Sequence, residues 1–449
     1  YCRTMPAPTR SQLDRDLGLL FYVTEGEGIE GVLRERLEDF RVFEIALGNI
    51  LCRPGCSKQL NSTGDYVWFL LEKRGVDTLT ALRALARAIG VSHKRFSAAG
   101  LKDSRAITFQ LVCGEGIDPD SIPKRVGEKV LIHDVFRMPF KLAPGMLVGN
   151  LFEITVRQLS VPPSQAEERI SSLADEICEA GGAPNYYGYQ RFGTIRPITH
   201  VIGKMIIHGR FEEAVRELLA RVFPYESQRA REARQYLAST WDIEGALKIF
   251  PRRLHHERMI LHYLYKHPGD YAGAIRTLPI AVRQLFIEAY QAYLFNKVLS
   301  RRIEIGLPLA EPIPGDLVML GDNEGAILRA RTTNLDKLRE LVAMGKASVV
   351  GNVFGYSSVL AEGEPGLVEN EVLREEGLSL DSFKIRTMPE ASSKGTYRPF
   401  AMNAFQLEWR VINGDVPEAN FRFVLRRGSY ATVLMREFVK PNDPAKQGF

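Results

Sequence analysis

At about Ile206 the periodicity of this chain changes, and near residue 377 it changes back. Before the change, apolar runs of strand length recur at Phe40 to Leu47, Tyr66 to Leu71, Ile107 to Val112, Val130 to Phe136 and Leu151 to Leu159. In the last of these, Phe152, Ile154 and Val156 alternate with Glu153, Thr155 and Arg157, the pattern of a sheet with one wet face. After the change, Phe211 to Phe223, Gln228 to Ser239 and Leu254 to Lys266 read as helices. They are followed by a long amphipathic one, Pro279 to Ile305, whose Phe286, Tyr290, Leu294 and Val298 mark a core face. Short strands are expected near 316–320 and 348–356, and strands resume at Phe400 to Ile412 and Ala419 to Leu425 before a closing helix, Thr432 to Val439. The pattern predicts an α+β chain with a strand-rich domain of residues 1–206 and 377–449. A helix-rich domain of residues 207–376 interrupts it, and the outer pieces complete one sheet. Leu19 to Val23 is a further strand candidate, the polar stretch Glu362 to Glu376 reads as a linker, and Pro441 to Phe449 reads as a frayed tail.

Composition narrows the function classes. With 449 residues, 45% of them apolar, the chain can bury a large core. It contains no run of eighteen apolar residues, so no transmembrane helix and no membrane partner are expected. Tyr1 to Leu20 lacks the apolar stretch of a signal peptide. The five cysteines are scattered, which fits a reducing cytoplasm rather than a disulfide framework. Cys52-Arg-Pro-Gly-Cys56 has no second Cys or His pair at a matching spacing, since His255, His256 and His262 lie on another segment; no metal is expected. A net charge of +5 is compatible with an RNA partner without demanding one.

One carboxylate stands out. Gly100-Leu101-Lys102-Asp103-Ser104-Arg105 is a turn between an apolar segment and the Ile107 strand, with Asp103 set between two cations. Such neighbours hold a carboxylate ionised. An ionised Asp on a braced loop suits a nucleophile or a base, and the same residues suit a solvated hairpin turn. Asp77 caps the helix before it, Thr78 to Ile89, which carries Leu79, Leu82 and Leu85 on one face and Arg83 and Arg87 on the other.

The stretch Gly-Leu-Lys-Asp-x-x-Ala-x-Thr-x-Gln, residues 100–110, resembles the signature loop of the TruD family of pseudouridine synthases. Three further blocks in the same order are similar to that family: Glu38-Asp39-Phe40-Arg41-Val42-Phe43-Glu44, Asn185-Tyr186-Tyr187-Gly188-Tyr189-Gln190-Arg191-Phe192-Gly193, and Gly428-Ser429-Tyr430-Ala431-Thr432 with Arg436-Glu437. Tyr290 to Asn296 resembles a helix of the family's insertion domain. The resemblance implies a pseudouridine synthase catalytic domain with a mixed, mainly antiparallel sheet, interrupted by a helix-rich TruD-type insertion, acting on tRNA, at uridine 13, without a cofactor. It implies Asp103 as the catalytic residue and Phe40, Asn185 and Tyr430 as contacts to the target nucleotide. Asn185 has the donor and acceptor groups that suit the edge of uracil. Arg34 is the candidate partner of Asp103, with Lys102 the second choice. Tyr187 departs from the Phe of bacterial relatives, and its phenol leaves its role open.

Two other classes compete with this reading. In a non-catalytic RNA-binding or RNA-chaperone protein, the Asp103 loop would be structural. In a metal-dependent nuclease, clustered carboxylates would be needed, and none accompanies Asp103. No protein partner is evident, and a monomer is the working expectation.

Overall fold

A computed structural model describes residues 6–46, 48–59, 63–102, 104–321 and 325–449 of the chain. They divide into two compact units. One comprises Glu25–Glu179 and Met402–Phe449; the other comprises the residues up to Thr24 together with Ala180–Ala401. These cuts differ from the expected ones at 206 and 377. At the first cut the helix Thr199–Ile207 lies so close to the long helix Ile280–Glu304 that a Cβ on Gly203 would sit 2.0 Å from the Phe286 carbonyl oxygen, and at the second the strand Thr396–Pro399 pairs with Ala347–Val353.

The first unit is built on one sheet. Its strand order is Phe405–Ile412, Glu418–Arg426, Leu147–Arg157, Phe40–Ala46, Ile107–Gly114, Tyr66–Arg74, Val130–Met138 and Arg125–Val126. Along this path the pairs are antiparallel except Phe40–Ala46 with Ile107–Gly114, which run parallel. The mixed, mainly antiparallel sheet that the resemblance implies is therefore present. Its centre is covered on both faces. The helix Thr78–Ala88 buries Ala81, Leu82 and Leu85 against Val67, Phe69 and Val112 on one side, while Trp68, Leu70 and Leu111 belong to a second core on the other. This explains why Tyr66–Arg74 reads as an unbroken apolar run. Leu79, expected on the buried face of that helix, is exposed.

The second unit holds a four-stranded antiparallel sheet, Ile327–Arg329, Leu317–Leu320, Ala347–Val353 and Thr396–Pro399. A helical bundle runs from Thr199 to Glu304. Its core gathers Ile202, Val215, Leu237, Leu261 and Phe286. Residues near the start of the chain are part of this unit: the Tyr189 hydroxyl donates to Asp14 at 2.7 Å, and Ser300 Oγ accepts the Leu20 amide at 2.9 Å.

Three expectations are corrected. Glu362–Glu376 is not a linker, for Gly363–Glu375 is a helix. Val368, Val372 and Leu373 are buried at helical spacing, and the buried Glu369 carboxylate accepts from Asn352 Nδ2 at 2.9 Å and the Ala361 amide at 2.8 Å. Residues 441–449 are docked rather than frayed: Gln447 accepts the Leu33 amide at 2.8 Å through its carbonyl, donates to the Gly31 carbonyl at 2.9 Å through its side chain, and Phe449 is buried. Leu19–Val23 forms no strand; Phe21 makes an isolated bridge to Pro8.

Candidate active site

The signature loop is held from below by buried polar groups. Gln110 and Thr78 have almost no exposed surface. The Lys102 amide donates to Thr78 Oγ1 at 2.9 Å, that hydroxyl donates to Gln110 Oε1 at 2.8 Å, and Gln110 Nε2 donates to the Gly100 carbonyl at 3.0 Å. Each group in this relay is satisfied by the next, so the backbone at Gly100 and Lys102 is fixed without any charge. A charged tie is added by Lys102, whose ammonium meets Glu44 at 2.9 Å with both side chains shielded from water. The other Glu44 oxygen accepts the Leu111 amide at 3.1 Å. Burial pushes the Glu44 carboxyl up, and the Lys102 ammonium pulls it part of the way back. Past the turn, the Ala106 carbonyl accepts the Gly75 amide at 3.3 Å.

Asp103 itself lies outside the described residues. Lys102, the second-choice partner for it, is engaged by Glu44. Arg34 sits with a left-handed backbone, φ 54°, rare for a side chain of this size. Its guanidinium lies 4.0 Å from the centroid of the Phe40 ring and donates to the Gly448 carbonyl at 2.9 Å. Gly448 has φ +82°, and a Cβ there would lie 1.8 Å from the Leu33 carbonyl oxygen, so the docked tail needs glycine at this point. Phe40 begins its strand and is buried, its ring edge-on to Phe152 at 6.2 Å, which in turn stacks on Phe423 at 5.6 Å. An aromatic row across three strands thus fixes Phe40, and Arg34 already lies over its ring. Tyr430 stands half-buried at the N-terminal cap of the helix Ala431–Val439.

Asn185 and Tyr187 belong to the other unit. Asn185 is buried, and all four of its polar groups face the 398–400 segment. Its amide donates to the Phe400 carbonyl at 2.8 Å, and its carbonyl accepts from Arg398 Nε at 2.9 Å. Its Oδ1 accepts from Arg398 Nη2 at 2.8 Å, and its Nδ2 donates to the Pro399 carbonyl at 3.0 Å. The Arg398 guanidinium also lies 4.2 Å from the centroid of Tyr187, whose ring stands edge-on to Phe295 at 5.7 Å. The Tyr187 backbone is clamped by the buried Asn296, which accepts its amide at 2.8 Å and donates to its carbonyl at 3.1 Å.

Sequence reasoning missed Glu44, Thr78, Gln110, Arg398 and Asn296 as supports. Glu44 and Gln110 were inside the resembling blocks, and a charged or amide residue in an apolar strand was the available signal. Arg398 lies between Tyr397 and Pro399 with nothing in its neighbourhood to mark it. Among the described residues no group of three or more His, Cys, Asp or Glu is placed to hold a metal ion. Cys52 and Cys56 are buried, and burial pushes both thiols up, Cys56 to about 11. No described helix is long and apolar enough to cross a membrane.

The sequence model of the family described as tRNA pseudouridine synthase D (TruD) matches residues 16–438, and the chain belongs to that family of isomerases. It is 36% identical over 439 residues to the probable tRNA pseudouridine synthase D of Methanosarcina mazei, covering 96% of this chain and 98% of that protein. Identity to the protein of the same description from Methanopyrus kandleri is 38% over 393 residues, 87% of this chain and 90% of that one. The crystal structure of the putative enzyme from M. mazei superposes with a TM-score of 0.81 at 36% identity, over 96% of this chain and 98% of that one.

Proposed function

We propose that this chain isomerises uridine to pseudouridine in tRNA, at position 13, with Asp103 as the essential carboxylate. The reaction breaks the C1′–N1 bond, turns the uracil, joins C1′ to C5, and moves the C5 proton away while N1 gains one. Atoms balance within the nucleoside, so the chemistry calls for no cofactor. Asp103 acts either by attack or by removing the C2′ proton. The target must leave its stack, at a cost of a few kcal/mol that stacking on aromatic side chains offsets by roughly 1–3 kcal/mol per base. Phe40 and Tyr430 are the aromatics proposed for this contact, Asn185 reads the base edge, Arg34 orients Asp103 with Lys102 the second choice, and Tyr187 is a catalytic support whose phenol can remove or relay the C5 proton. Residues 1–206 and 377–449 are the proposed catalytic domain, with residues 207–376 inserted, in a cytoplasmic protein acting as a monomer; the sheet unit of Glu25–Glu179 and Met402–Phe449 supports this reading.

The observation that carries this reading is the family match over residues 16–438, within which the arm entering Asp103 is tied by a closed buried relay. A solvated turn does not call for such ties. The test is Asp103→Asn, which keeps size and removes charge. Release of tritium from C5-labelled uridine in transcribed tRNA should collapse, because an amide is neither a base nor a nucleophile at neutral pH. Folding and tRNA binding should persist. Near-normal tritium release from the Asn variant would make Asp103 a turn residue and end the proposal.

A further inference from the structure

The side-chain amide of asparagine is nearly symmetric in shape, and turning it over exchanges its donor and its acceptor. That matters for a residue that reads a pyrimidine. Uracil presents an N3–H donor flanked by carbonyl acceptors, whereas cytosine presents an N3 acceptor beside an amino donor. One amide orientation matches the first pattern, and the flipped orientation matches the second. An unconstrained asparagine therefore cannot tell uridine from cytidine.

Asn185 is constrained. Guanidinium has donors only, so the Asn185 atom that meets Arg398 Nη2 at 2.8 Å must be oxygen. A carbonyl accepts only, so the atom that meets the Pro399 oxygen at 3.0 Å must be nitrogen. Flipping the amide would set donor against donor at Arg398 and acceptor against acceptor at Pro399, in a place with almost no water. Arg398 is itself held: its Nε donates to the Asn185 carbonyl at 2.9 Å, Nη2 also reaches the Tyr186 carbonyl at 3.2 Å, and its plane lies over Tyr187. It is 8% exposed. Opposite it in the sheet is Gly351, where a Cβ would lie 2.4 Å from the Phe400 ring, so the strand that carries Arg398 packs with no slack.

We propose that Arg398 is the residue that makes this site specific for uridine, by fixing the Asn185 amide in the one orientation that matches uracil. The proposal rests on the reading of Asn185 as the contact to the base edge. Arg398 acts through Asn185 and is a positioning residue.

The experiment uses transcripts of one tRNA carrying either uridine or cytidine at the target position, as competitors of tritium release from labelled substrate. The wild-type protein should prefer the uridine competitor by about tenfold or more, the size expected for a well-made pair of hydrogen bonds to a base edge. Arg398→Gln places a group opposite Asn185 that can donate or accept, which removes the donor-only half of the lock while the Pro399 carbonyl still favours one orientation, so the preference should fall severalfold. Arg398→Lys keeps a donor-only group and should hold most of the preference, even where turnover drops through loss of the guanidinium contact with the Tyr187 ring. Thermal melts verify that each variant is folded. A folded Gln variant with wild-type preference overturns the proposal, and so does a folded Lys variant that has lost it. Asn185→Ala separates the two levels. If it keeps the preference, the base-edge reading of Asn185 is wrong; if it loses the preference while Arg398→Gln keeps it, only the role of Arg398 is wrong.

Discussion

The Gly100–Lys102 arm and the Asn185–Tyr187 segment are both immobilised by buried polar contacts, yet by opposite designs. The first is held by three elements at once: Glu44 from one strand, Gln110 from another, and Thr78 from the first turn of a helix. The second is held mainly from one short segment, by Arg398 and the Pro399 and Phe400 carbonyls, with the Asn296 amide clamping Tyr187. Distributed anchoring predicts graded damage when a single link is cut, with the largest loss where a charge is stranded. Concentrated anchoring predicts that a few substitutions carry most of the effect. The loop that needs a fixed backbone for chemistry is tied from three elements, and the amide proposed to read the base is oriented by two adjacent residues, Arg398 and Pro399.

Cutting the charged tie gives the largest expected effect. Glu44→Ala leaves the Lys102 ammonium buried without its partner, which should cost about 3–5 kcal/mol of stability, read from the urea midpoint. Replacing both partners by apolar residues should recover much of that. A loss under about 1 kcal/mol would show the pair behaves as a surface bridge and carries no anchoring.

Next comes acid. His200 is buried against Phe192 and Tyr293, with Nε2 on the Asp16 carbonyl at 3.1 Å, and burial lowers its imidazole to about 4. The unfolded chain therefore binds a proton that the folded one refuses between the ordinary value of about 6.5 and 4. Stability from this group is full above about 6.5 and is lost as pH falls to 4, about 3 kcal/mol in all. His200→Phe should remove that part of the pH dependence, and an unchanged acid profile would place the sensitivity elsewhere.

Thr78→Val is smaller. It keeps the shape and cuts two links of the neutral relay, at about 1–3 kcal/mol. Turnover should fall roughly tenfold with KM for tRNA little changed, and Thr78→Ser should restore it. Equal losses in kcat and in tRNA affinity would turn the relay into a general structural support.

The smallest effect concerns Arg83 and Arg87, both exposed on the helix Thr78–Ala88. If each neutralises a phosphate, replacing one by Ala should reduce the slope of log affinity against log salt by about 0.7–0.9. An unchanged slope would leave them as solvated surface.

Much of this was legible in the chain because it repeats along one element. The alternation of Phe152, Ile154 and Val156 with polar residues, or Phe286, Tyr290 and Leu294 at helical spacing, needs no knowledge of neighbours. The helix Gly363–Glu375 was hidden because its glutamates mask an apolar stripe, and one of them, Glu369, is buried among donors that are distant in sequence. The docking of residues 441–449 was illegible for a related reason: it rests on bonds between groups far apart in sequence, the Gln447 side chain to the Gly31 carbonyl, the Leu33 amide to the Gln447 carbonyl and the Arg34 guanidinium to the Gly448 carbonyl. The Lys102–Glu44 pair was not legible because Glu44 lies far away in sequence on the strand that also carries Phe40, and only the parallel pairing of that strand with Ile107–Gly114 brings the two segments together.

The order of strands in the large sheet also has a kinetic meaning. Leu147–Arg157 is paired on one side by Phe40–Ala46 and on the other by Glu418–Arg426. A ribosome delivers the first neighbour early and the second only after the whole helical part has been made. During that interval the strand presents an open hydrogen-bonding edge with Phe152 and Ile154 uncovered on one face, the kind of template that recruits other chains. The nascent protein must therefore either be shielded or fold its helical part quickly enough to bring residues 418–426 home. Pulse-labelled hydrogen exchange during refolding should find Leu147–Arg157 protected late, in step with Glu418–Arg426 and well after the Tyr66–Arg74 core.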